Sequence, residues 1–134
     1  MTKIFCDIAD IKQIIKFNKK KIVKGFTTNP SLIRKAGAKD YKSYCKKILK
    51  ISKKKPVSLE VFADDYKNMM IQAIQINKWS KNVYVKIPVV NSKGVFMGKL
   101  IRNLNHRGIK LNITAVYTSK QSKMILKNIN KKTK

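Results

Sequence analysis

The chain has 134 residues, 32 Lys+Arg against 6 Asp+Glu, a formal net charge of +26 and 43% hydrophobic residues. That length suits one ordinary domain, and the apolar fraction excludes wholesale disorder in spite of the charge. No run approaches the roughly 20 uninterrupted apolar residues of a membrane-spanning helix. Asp7 and Asp10 interrupt any signal-peptide pattern at the start. Cys6 and Cys45 are too few for a disulfide framework or a zinc site, so a soluble, reducing, cytoplasmic setting is expected.

In chain order, β-branched runs predict strands over 3–9, 25–29, 56–62, 84–89 and 111–117. Helical patterns lie between them, over 10–18, 31–52 with a break at Gly37, 64–78, 92–106 and 119–128. Asp10, Ser31, Asp64 and Ser119 are the expected N-caps, and Gly108 suits a helix C-terminus. Strands that alternate with helices form a parallel sheet, because parallel neighbours need a crossover connection. The G-x-G-x-x-G turn of dinucleotide folds is absent. The fold class expected is α/β, with about five βα units over 1–129 and a basic tail over 130–134. The units suit either an open doubly wound sheet, against which the missing turn counts, or a partial TIM (β/α)8 barrel that stops after its fifth unit.

The charge invites a nucleic-acid reading, since lysines neutralise phosphates. Three observations argue against it. Only Arg34, Arg102 and Arg107 of the 32 basic residues are arginine, the side chain suited to base edges. The abundance of Lys, Ile and Asn together has the look of compositional drift. The lysines also alternate with buried stripes: Tyr41, Tyr44, Cys45, Ile48 and Leu49 share one helical face, while Lys42, Lys46, Lys47 and Lys50 take the other. Tyr66, Met69, Met70, Ala73 and Ile74 form a second stripe, and Met97, Leu100, Ile101 and Leu104 a third. Solvated faces are the expected role of most of the charge, and nucleic acid is held at most non-specifically.

Polar residues inside the apolar strands carry the functional reading. In 83–89 alternation sets Tyr84, Lys86 and Pro88 against Val83, Val85, Ile87 and Val89. A central parallel strand is covered on both sides, so Lys86 is expected in low dielectric. Desolvation disfavours the charged ammonium, and a neutral amine attacks a carbonyl to form a Schiff base. Glu60, the sole glutamate, opposes Val57, Leu59 and Val61 on the third strand. Asn112 and Thr114 are co-facial on the fifth, Asp7 stands on the first, and Asn29 ends the second. Five strands thus direct polar groups to one side, late in each strand, where an α/β barrel builds its active site. His106 reads as solvated, Cys6 and Cys45 as packing residues, and Trp79 as a core or interface plug.

Val83–Val89 with Lys86, followed by Asn112-Ile113-Thr114-Ala115-Val116, resembles the Schiff-base strand and the next strand of transaldolases. Phe26-Thr27-Thr28-Asn29-Pro30-Ser31, Leu59-Glu60-Val61-Phe62-Ala63-Asp64 and Asp7 are similar to further segments of that family, in the same order over nearly all of 1–129. Related fructose-6-phosphate aldolases usually carry glutamine at the position of Glu60, which tilts the resemblance towards a short transaldolase. The resemblance implies a transferase moving a dihydroxyacetone unit between sugar phosphates. Lys86 would form the Schiff base, and Asp7 would act as general base and then acid. Glu60 and Thr114 would handle the water of imine formation, and Asn29 and Asn112 would bind the three-carbon fragment. No metal or organic cofactor is implied. The partners implied are sugar-phosphate substrates, with room for a homo-oligomer and no membrane. The family's sixth strand and its phosphate-binding arginine have no counterpart in 130–134, so a barrel stopping after its fifth unit, impaired in activity, is expected. The competing readings are an inactive barrel fragment and a basic nucleic-acid-binding module.

Overall fold

The computed structural model describes residues 2–130, and its elements alternate as the periodicity requires. The strands are β1 (Ile4–Asp7), β2 (Val23–Thr27), β3 (Val57–Glu60), β4 (Val83–Pro88) and β5 (Leu111–Thr114). The helices are α1 (Ile11–Asn18), α2 (Pro30–Lys35), α3 (Tyr41–Ser52), α4 (Tyr66–Asn77), α5 (Gly98–His106) and α6 (Ser119–Leu126). The strands form one sheet in chain order, β1-β2-β3-β4-β5. Parallel pairing of chain neighbours through intervening helices is the build of the first units of a (β/α)8 barrel. The fold is therefore α/β, a partial TIM barrel. Of the expected basic tail, 131–134 lie outside the described residues.

Two compact units divide the chain: Met1–Glu60 with Trp79–Val83, and Val61–Lys78 with Tyr84–Lys134. In the first, β1 pairs with β2 in parallel, Asp7 opposite Thr27, and β2 with β3, Phe26 opposite Val57. Ile14, Phe26, Ile33, Ile48, Val57, Leu59 and Val83 are among its fully buried side chains. Cys45 is buried with them, and burial pushes its thiol up to about 12. It is thus protonated at neutral pH and no nucleophile. Cys6 is half-buried. Trp79 is half-buried too, its ring tilted against Tyr41 at 6.2 Å.

In the second unit β4 pairs with β5 in parallel, Lys86 opposite Asn112 and Pro88 opposite Thr114. Along β4, buried and half-buried residues alternate as a strand with two unlike faces demands. Met69, Ala73, Val85, Ile87, Leu100, Ile101 and Leu104 make the core. Met97 joins them at 5% exposure, so the α5 stripe holds. His106 is exposed, as its polar surroundings suggested.

The helix starts differ from expectation for local reasons. Asp10 caps α1 as expected, accepting from Gln13 N–H at 2.8 Å. Asn29, not Ser31, caps α2, because Pro30 takes the first helical position, where no N–H is needed. Asp65, not Asp64, caps α4, since Asp64 accepts from the Ser92 N–H at 2.8 Å and from the Ser92 hydroxyl at 2.5 Å. Thr118, not Ser119, caps α6 through a reciprocal capping box with Gln121. The helix expected over 92–106 begins only at Gly98. Asn91 Oδ1 accepts from the Lys93 and Val95 N–H groups, and a bridge joins Val90 to Phe96, so that segment is a turn. The pattern over 31–52 is two helices parted at Gly37, whose φ of +86° suits glycine.

Candidate active site

The polar residues of the first unit gather where its strands end and its helices begin. Asp7 is the last residue of β1 and is exposed, its Oδ1 accepting from the Thr27 hydroxyl at 2.8 Å. The two are register partners, so their side chains leave the sheet on the same face. Ile8 N–H donates to Thr27 O at 3.0 Å, which holds the strand ends together just past the carboxylate. Asp7, Asp10, Gln13, Leu32 and Lys35 line an open cleft of about 290 Å³. Asn29 is half-buried at the head of α2, its Oδ1 accepting from Leu32 N–H at 2.9 Å. Its carboxamide nitrogen is the donor it can offer a ligand.

Glu60 is the half-buried last residue of β3. Its backbone carbonyl accepts from the Tyr41 hydroxyl at 2.9 Å. Burial pushes the Tyr41 phenol above its ordinary range, so the hydroxyl stays a donor at any working pH. Tyr44 makes a similar brace, donating to Ala9 O at 3.1 Å just past β1.

In the second unit Lys86 is half-buried near the end of β4. Its carbonyl accepts from Val61 N–H at 3.2 Å, and its register partner Asn112 shares its face of the sheet. Thr114 ends β5 two residues on, also half-buried. Its carbonyl accepts from Val89 N–H at 2.9 Å. Ala115, directly after it, has φ +58°, a left-handed conformation uncommon outside glycine. The Asp64–Ser92 bonds tie the segment after β3 to the turn after β4.

The structure thus places Asp7, Asn29 and Glu60 in one unit and Lys86, Asn112 and Thr114 in the other. All but Asn112, the second residue of β5, stand at or near the C-terminal end of a strand or directly past it. Sequence reasoning missed Thr27 and Tyr41. Thr27 was detectable, because strand parity puts it on the face of its polar neighbours. Tyr41 was not, because a helical stripe shows that the ring is buried but not where the hydroxyl ends. No group of three or more His, Cys, Asp or Glu side chains able to hold a metal occurs among the described residues. No helix among them is long and apolar enough to cross a membrane.

Repeated βα units with polar residues on consecutive parallel strands define the class, the (β/α)8-barrel type. Comparison with known proteins narrows it. The Transaldolase/Fructose-6-phosphate aldolase family matches residues 4–133, and the chain belongs to that family. It is 38% identical over 120 residues to a probable transaldolase of Dehalococcoides mccartyi, a match covering 90% of this chain and 54% of that protein. Probable transaldolases of Methanococcus maripaludis strain C5 and Streptococcus agalactiae serotype V are each 38% identical over 125 residues, covering 93% of this chain and 55% of theirs. The chain spans about half the length of the curated relatives it matches.

Proposed function

We propose that the chain carries the amine-bearing half of a transaldolase, and that Lys86 forms a Schiff base with a ketose phosphate. The observation that carries this reading is the register of Lys86 with Asn112 on adjacent parallel strands of a family member. An amine and a carboxamide are thereby set side by side on one face. The Lys86 amine adds to the ketone, and the carbinolamine loses water to give an iminium, with Glu60 and Thr114 holding that water. Asp7 takes the proton of the hydroxyl β to the iminium carbon. The carbon–carbon bond then breaks, the aldose phosphate leaves as an aldehyde, and the electron pair stays on the three-carbon fragment as an enamine. The enamine attacks an acceptor aldehyde, Asp7 returns its proton, and water releases the product and restores the amine. Asn29 and Asn112 hydrogen-bond the retained fragment. No cofactor is required, because the iminium is the electron sink. Thr27 is a positioning residue, its hydroxyl orienting the Asp7 carboxylate.

Reductive trapping with fructose 6-phosphate and cyanoborohydride tests the proposal by peptide mass. Wild type should carry the three-carbon adduct on Lys86, and Lys86→Ala none. Asp7→Asn should carry the whole six-carbon phosphate, since the imine forms but the bond does not break. An adduct that persists in Lys86→Ala, or a wild-type chain that traps nothing, would overturn the assignment.

A further inference from the structure

The carboxylates of the first unit, unlike its lysines, are sorted by the direction of the chain. Its four carboxylates all stand where strands end and helices begin: Asp7 ends β1, Asp10 caps α1, Asp40 caps α3 and Glu60 ends β3. The opposite end, where helices run into strands, carries lysines and no carboxylate. Lys19, Lys20 and Lys21 lie between α1 and β2, Lys53 and Lys54 between α3 and β3, and all five are exposed.

These loops are braced against each other by side-chain bonds. Lys55 Nζ donates to Asn18 O at 2.6 Å and to Lys20 O at 2.9 Å, and Asn18 Nδ2 donates to Ile51 O at 2.9 Å. Asn82 Nδ2 donates to Leu49 O and to Lys55 O, both at 3.1 Å. One lysine is therefore used as a tie between the loops that carry the other five. Lys53 is held at φ +54°, where a side chain other than glycine is uncommon. Fixed backbones lose less entropy on binding than free ones, so this is a preorganised cationic platform and not a mobile tail.

From this placement we infer that the lysine-bearing loops at the strand-entry end of the first unit bind the phosphate backbone of a nucleic-acid duplex without reading its sequence. The platform has no arginine fork for base edges. Phe17, the aromatic beside it, is half-buried with the Lys20 ammonium 5.2 Å from its ring centroid, so it is no stacking base for single strands. Ile22, 61% exposed, is the large apolar side chain these loops present, too little for the apolar face of a membrane-surface element. Protein interfaces centre on clustered aromatic and apolar residues, and these loops offer only Ile22 exposed. Exposed ammonium groups suit phosphates. The inference is independent of the Schiff-base proposal.

Fluorescence anisotropy of a labelled 20-base-pair duplex of mixed sequence, at 50–200 mM KCl, tests it. Five phosphate contacts imply that affinity falls about 500-fold over that range. Replacing Lys19, Lys20, Lys21, Lys53 and Lys54 by Gln should weaken binding on the order of 100-fold at 50 mM and flatten the salt slope. A charge-matched control replaces Lys12, Lys39, Lys42, Lys46 and Lys47, and should stay within about 5-fold of wild type, with circular dichroism confirming both folds. Equal losses in the two variants would mean diffuse attraction by net charge and would overturn the inference. So would an absence of duplex binding at 50 mM, or binding only to phosphatidylserine vesicles.

Discussion

Gly25 lies in the middle of β2, between Phe5 of β1 and Pro56 at the entry to β3. A Cβ at that position would stand 2.5 Å from Phe5 Cε1 and 2.7 Å from the Pro56 carbonyl oxygen. The phenyl ring, 43% exposed, can swing away, but the carbonyl cannot, because it accepts from Phe26 N–H at 2.9 Å. Gly25→Ala should therefore push β2 away from β3 and cost about 1–3 kcal/mol, the range for overpacking a closed site. Urea unfolding measures the loss, and an unchanged midpoint would show that the strands have slack. The same residues show what a single sequence exposes at this scale. Lys86, Glu60, Asn112 and Thr114 stood out because they are polar within apolar alternation. Parity shows the face Thr27 takes, but neither for it nor for Tyr41 does it show what the hydroxyl reaches across 20 or 19 residues.

At the scale of elements, α2 joins stability to the proposed site through one side chain. Asn29 caps the helix with its carboxamide oxygen and, in the proposal, holds substrate with its nitrogen. Asp can keep the cap and favours a helix N-terminus, but it has no N–H to donate. Asn29→Asp should thus retain the thermal midpoint while lowering imine trapping at least 10-fold. Asn29→Ala should lose trapping together with about 1 kcal/mol of stability. Equal stability loss in both variants would mean that the cap is not what the oxygen supplies. The number and type of the elements were legible because β-branched runs and 3.6-residue stripes alternate along nearly the whole chain. Their starts were less so. Asp64 and Asp65 are both good caps by composition, and only the distant Ser92, which engages Asp64, decides that Asp65 takes the helix. Asn91 likewise turns the first six residues of an expected helix into a loop by accepting from two backbone N–H groups, an interaction that periodicity does not register.

For the whole molecule, charge sets how stability responds to solvent. A net charge of +26 on 134 residues opposes compaction by self-repulsion, which salt screens within about 10 Å at 0.1 M. Few carboxylates offset it, and four of them, Asp10, Asp40, Asp64 and Asp65, are helix or turn partners. Asp40 is held below its ordinary range by hydrogen bonds from Ser43, Asp64 by Ser92 and Asp65 by Asn68. A carboxyl whose folded pKa is depressed contributes stability above its unfolded pKa, and loses that contribution as pH falls through the folded value. These groups therefore add nothing to the pH dependence between about 7 and 5, and their contribution disappears below about 4. Protonating them also removes negative charge from an already cationic chain, so both effects act in the same direction. The thermal midpoint should be flat from pH 7 to 5, fall steeply below pH 4, and rise with NaCl from 20 to 500 mM at either end. The salt increment should be larger at pH 3, where the repulsion is greatest. Calorimetry across that grid checks the sign of each dependence. A midpoint insensitive to salt at pH 3 would mean that the lysines are too dispersed to repel one another, contrary to the clustering that the strand-entry loops display.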